Sequence, residues 1–239
     1  MTGDGTFLLF ADARMPTGGH AHSGGLEQAV GSARVADADQ LASFLRGRLA
    51  TVGLVDAALA AAARRFGNGE RFGDGGGGGD GGGGSWELLD AEAAARCPGP
   101  AVREVARGQG RRLLRLARSA WPATHLDHLA AATDGSPMWP VALGAAATAA
   151  GIDGRRAAAV AAGAAVTGPA WAAVRAMSLD PYVVAALLAD LAPSVDETAE
   201  RGFEAASTLP WADLPAASPP LLDLGAEEHR RWEVRLFAS

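Results

Sequence analysis

The chain contains no lysine: all 21 of its basic residues are arginine. That excludes a Walker-type phosphate lysine, a Schiff-base lysine and a lysine general base. A single cysteine, Cys97, excludes an internal disulfide and any cysteine-rich metal site, and it fits an intracellular protein. The HExxH pair is missing too, since His125 and His128 stand one helical turn apart in HLDH without the required glutamate. Ser23 sits in HAHSGG, where Ala21 replaces the first glycine of a GxSxG elbow. Nothing local assembles a nucleophile, a base and an orienting acid, so no catalytic residue and no stably bound cofactor are expected.

A formal charge of −6, from 21 basic and 27 acidic residues, argues against a general nucleic-acid binder. No basic residue precedes the short apolar run from Phe7 to Ala11, which Asp4 and Asp12 bracket, so no signal peptide is read there. The near-continuous apolar stretch from Ala157 to Val174 is mostly alanine and contains Gly163, Thr167, Gly168 and Pro169. It reads as a tightly packed helix pair of a soluble protein rather than as a membrane span.

What is present is helical periodicity. Asp37 can cap a helix with Gln40 completing a capping box. Leu41, Phe44, Leu45, Leu49 and Val52 then recur at helical spacing, with Arg46 and Arg48 placed on the other side. Further helices are expected over about 55–66, 86–96, 101–119, 122–132, 140–150, 155–175, 181–192 and 195–206. Val102, Val105, Leu113 and Leu116 form the buried face of 101–119, and Asp180 before Pro181 marks a helix start. The arginines at 111, 112, 115 and 118 read as a solvated helix face, with an acidic docking partner as the alternative. Ser23 is placed as the N-cap of a helix through Leu26, Glu27 and Val30. Prolines at 210, 215, 219 and 220 make 207–220 extended or irregular.

Residues 67–85 include 12 glycines among 19, a flexible insertion that would cost backbone entropy to order and bury almost nothing. The fold class is therefore all-α: a single-domain compact array or bundle of about eight to ten helices over 1–239, interrupted by the flexible glycine-rich insertion 67–85. It ends in a docking tail, 221–239, whose Trp232, Leu236 and Phe237 must be buried against the chain's own core or another subunit. His20 and His22 are the nearest approach to a metal pair, but no neighbouring Cys, Asp or Glu completes a local ligand set. Cys97 reads as a semi-buried thiol.

The two least ordinary stretches are MPTGGHAHSGGLEQAV, residues 15–30, and HRRWEVRLFAS, residues 229–239. Together they resemble the urease accessory protein F (UreF) family. Pro16, Gly18, Ser23, Gly25, Leu26 and Glu27 fall in register with its N-terminal motif. His229, Arg235, Leu236, Phe237 and Ser239 match its ending, and DADQLASFLRGRLATVGLVD fits the helix pair between. His20 and His22 stand where aromatic residues are common in that family. AVREVARGQGRRLL echoes another of its segments loosely, through Gly108 and Gly110.

The resemblance implies a cytoplasmic, all-helical, homodimeric chaperone without enzymatic activity. Such a scaffold bridges the accessory D/H protein and the G GTPase during urease maturation, and the complex inserts nickel into apo-urease. By the same resemblance Glu27 belongs to a protein-interaction surface with His229, Trp232, Arg235, Leu236 and Phe237. Pro16, Gly18, Ser23, Gly25 and Leu26 are structural positions of the motif. Nickel is handled by the complex, with His20 and His22 as residues that could touch it in transit; neither nucleic acid nor a membrane is implied. Two other readings stay open: a metal-dependent hydrolase using the clustered histidines, and a generic helical adaptor.

Overall fold

The computed structural model describes residues 4–12, 22–70 and 85–237, so Pro16, Gly18, His20, Ser239 and most of the glycine insertion lie outside the described residues. Among the described residues the secondary structure is entirely helical. In chain order α1 spans Asp4–Ala11, α2 Leu26–Gly31, α3 Ala38–Arg48, α4 Leu54–Gly67, α5 Trp86–Ala95 and α6 Pro100–Ala120. They are followed by α7 Thr124–Ala132, α8 Trp139–Ala149, α9 Gly154–Ala176, α10 Pro181–Thr208 and α11 Pro220–His229.

The start of α3 follows from its capping chemistry. The Asp37 side chain accepts the Gln40 N–H at 2.8 Å, and the Gln40 side chain returns to accept the Ala36 N–H at 2.8 Å, one residue before the usual capping-box position. A wide π turn, Leu49–Gly53, joins α3 to α4, so the helix pair is nearly continuous. The expected helices over 181–192 and 195–206 are a single helix, α10. Its Pro193 is on the solvent side, where water can reach the Ala189 carbonyl that the ring leaves without an N–H. Asp180 caps this helix by accepting the Tyr182 N–H at 2.8 Å.

Helix α4 is the centre of the molecule. Ala57, Ala58 and Ala60 to Ala63 are buried along it, and α8, α9 and α10 pack around it. Small side chains set the spacing. A Cβ at Gly144 of α8 would lie 2.2 Å from the Ala60 carbonyl oxygen, and one at Gly202 of α10 would lie 2.7 Å from the Ala57 Cβ. Helices this close gain dispersion contacts that bulkier residues would forbid, which compensates for the little area each alanine buries. Gly110 of α6 makes a similar approach to the Pro137 carbonyl, whereas Gly108 faces only the tip of Arg112. Leu113 is fully buried on α6, with Leu114 and Ala117; Val102, Val105 and Leu116 are half-buried. By length and composition α9 could cross a membrane, yet 56% of its apolar window is covered by the other helices.

Arginines satisfy backbone that the helices leave open. The segment after α10 runs irregularly apart from a short 3₁₀ turn, Trp211–Asp213. Arg96 threads it, donating to the carbonyls of Trp211, Ala212, Leu214 and Pro215 at 2.9 to 3.1 Å. One buried guanidinium thus takes the place of a ladder in a proline-rich stretch. The arginines at 111, 112, 115 and 118 are exposed, and Arg118 pairs with Asp127 at 2.7 Å.

Candidate functional site: a carboxylate joining the two chain ends

Two consecutive glycines open the site. Gly24 and Gly25 have φ of +59° and +88°, a left-handed turn that a side chain would strain, and they deliver Leu26 into the core as α2 begins. The Ser23 hydroxyl accepts the Glu27 N–H at 3.3 Å, so Ser23 does serve an orphan donor of α2, although Gly25 occupies the cap position.

Arg48 corrects the expectation that it faces away from the core. Pro169 interrupts α9 and, lacking an N–H, leaves the Ala165 carbonyl free; the Arg48 Nε–H donates to it at 3.0 Å. The same guanidinium donates to the Gly24 carbonyl at 2.6 Å, fastening the glycine turn to α9. Burial lowers the Arg48 pKa to about 10, partly offset by the nearby Asp56 carboxylate. Burial raises Asp56 itself to about 7 against the opposing pull of Arg48.

The central feature is the Glu27 carboxylate. It accepts the His229 Nε2–H at 2.9 Å, the Leu236 N–H at 2.7 Å and the Phe237 N–H at 3.0 Å. Glu27, His229 and Phe237 are only 8%, 2% and 4% exposed, so the two motif-bearing ends, more than 200 residues apart, close on one buried group. Around it Trp232 stacks edge-on against His229, with ring centroids 4.9 Å apart, and lies over Gly31, where a Cβ would sit 2.4 Å from the indole. The Gln28 amide donates to Glu228 at 2.8 Å, and Arg175 covers the Phe237 ring at 4.3 Å. A hydrogen-bonded, paired carboxylate is the form in which a charge is tolerated at this depth.

The expected interaction residues therefore divide. Glu27, His229 and Phe237 face one another inside the chain, and Trp232 is half-buried beside them; Arg235 and Leu236 point outward. Val234 is 84% exposed and Leu236 66%, while Leu221 and Leu224 of α11 are also open. Of the three residues expected to be buried, Phe237 is buried within the chain, Trp232 is half-buried and Leu236 stays exposed. The resemblance implies an interaction role for Glu27; within this chain its carboxylate is turned inward as an acceptor, which no local pattern in the sequence records.

A cavity of roughly 800 Å³ adjoins this junction. Arg48, Asp56, Cys97, Leu222, Asp223 and Phe237 are among its walls. Burial pushes the Cys97 thiol up to about 11, so it is a poor nucleophile, and raises Asp223 as well. His22 lines the same cavity, while His125 donates Nε2–H to the Ala145 carbonyl at 2.9 Å and His128 is exposed. Among the described residues no three His, Cys, Asp or Glu side chains converge as a metal site would require.

Comparison with known proteins agrees with the resemblance of the motifs. The family model described as UreF matches residues 35–192. The chain is 42% identical over 234 residues to the urease accessory protein UreF of Mycolicibacterium vanbaalenii, an alignment covering 98% of each. It is 38% identical to that of Mycobacterium marinum and 36% to that of Mycobacterium tuberculosis, in both cases over the full length of both chains. Both ends of the Glu27 junction fall outside the span matched by the family model and inside these full-length alignments.

Proposed function

Since the chain belongs to the UreF family of urease accessory proteins, we propose that it is a scaffold for urease maturation, and that the Glu27 junction shapes its partner-binding surface. In this reading it bridges the accessory D/H protein and the G GTPase, as a homodimer in the cytoplasm, and nickel passes to apo-urease as cargo of the assembly. The observation that carries the proposal is the division of the tail. Glu27, His229 and Phe237 hold it from within, which leaves Val234, Arg235 and Leu236 presented outward, as Leu221 and Leu224 of α11 also are. The exposed leucines and Val234 supply apolar surface for a partner to cover, and Arg235 is the residue type that anchors such contacts and selects an acidic counterpart. Glu27 then acts through the tail, as a positioning residue, rather than by touching a partner.

Co-purification with the D and G proteins tests this. The wild-type chain is expected to retain both, and Arg235→Ala to lose the GTPase while remaining folded. Retention of both partners by the variant would remove Arg235 from the contact; failure of the wild type to hold either would overturn the scaffold reading.

A further inference from the structure

From Glu233 to Phe237 the backbone makes only two hydrogen bonds among the described residues, and both end on the Glu27 carboxylate. Other contacts hold this segment and the turn before it: Arg230 pairs with Glu104 at 3.7 Å, the Arg230, Arg231 and Trp232 N–H groups bond back to α11, Trp232 lies over Gly31 and against His229, and Phe237 sits beneath Arg175. No helix or sheet ladder secures it. Glu233 to Leu236 are all exposed, and only Phe237 turns inward, where it forms part of the cavity wall. Leu222 of α11, against Gly25, and Gly24 itself line the cavity beside it.

We infer that residues 230–237 are a strap closing the cavity, with Glu27 as its latch and Phe237 as the piece of wall that leaves when the strap lifts. The walls contributed by α4, α6 and α9 belong to the alanine-packed core and open only with the whole fold. The strap needs fewer contacts broken, two amides on Glu27, the Trp232 stack and the single Phe237 ring, and its amides can be hydrated at once. Lifting it uncovers further the half-buried Arg48, Asp56 and Cys97, which have no part in docking at Arg235. The inference does not depend on which partner binds the tail.

Cys97, the chain's only cysteine, reports on this directly because it lines the cavity. The full chain is treated with a chromogenic disulfide at pH 8.5, and the rate of thiol modification is compared with that of the urea-unfolded chain. The wild type is expected to react at least about tenfold more slowly. Glu27→Gln should accelerate modification about tenfold or more while the helical circular dichroism stays unchanged. Phe237→Ala, which removes the wall and leaves the Glu27 carboxylate in place, should do the same; Leu236→Ala, outside the strap's inner face, should not. A wild-type rate equal to that of the unfolded chain, or unchanged rates in folded Glu27→Gln and Phe237→Ala, would overturn the strap.

Discussion

Replacing Glu27 with glutamine keeps the shape of the side chain and removes one of its two acceptor oxygens. Oε2 serves the His229 Nε2–H and the Phe237 N–H, at 2.9 and 3.0 Å, and Oε1 serves the Leu236 N–H at 2.7 Å. The better amide orientation puts the carbonyl at Oε2 and turns the new NH₂ toward the Leu236 N–H, donor against donor. One charge-assisted bond is lost, a net ~1.5–3 kcal/mol, and the remaining two lose their charge assistance. About 3 kcal/mol is the resulting destabilisation of the docked tail, or roughly a hundredfold in its opening equilibrium. Because the tail can peel away and rehydrate, the loss stays local. Hydrogen exchange should therefore quicken by about a hundredfold at the Leu236 and Phe237 amides and remain unchanged in α4. The melting temperature should fall by less than about 4 °C. Unaltered exchange at those two amides would refute the acceptor role; an equal rise in α4 would show that Glu27 supports the whole fold instead.

Gly144→Ala tests the spacing of the core, since the added Cβ meets backbone atoms, the Ala60 oxygen at 2.2 Å and the Arg64 nitrogen at 2.7 Å, which cannot rotate away. Overpacking of about 3 kcal/mol outweighs the ~1 kcal/mol gained in helix propensity, so a drop of about 4–8 °C is expected on thermal melting, and an unchanged or raised midpoint would contradict it. Asp56 gives a dependence on pH: its folded pKa, raised by burial to about 7, exceeds its unfolded value, so the native state holds the proton more tightly between about pH 4 and 7. Its contribution to stability is present at low pH and lost as pH rises through that window. Asp56→Asn should lack this loss, and urea titrations at pH 5 and 7.5 should show the variant gaining on the wild type by roughly a few kcal/mol; a constant difference would place Asp56 in water.

The helical class, the Asp37 and Asp180 caps and most helix positions could be read from the chain because they rest on local chemistry: a carboxylate near its own helix start, and apolar residues at a period of 3.6. Family membership was legible as well, since Ser23, Gly25, Leu26, Glu27, His229 and Arg235 are short contiguous patterns. Pro193 misled the reading of α10 because a proline's cost depends on whether the freed carbonyl can find a partner, which local sequence does not record. Arg48 misled it for the matching reason: its partner is the carbonyl that Pro169 frees 117 residues away. What tertiary structure alone decided is the surroundings of Glu27. The residue was visible from the start as part of a motif, but only the fold brings His229 and two tail amides to its carboxylate. A buried acceptor with three donors is a fastener inside the chain, where an exposed glutamate would have been a contact.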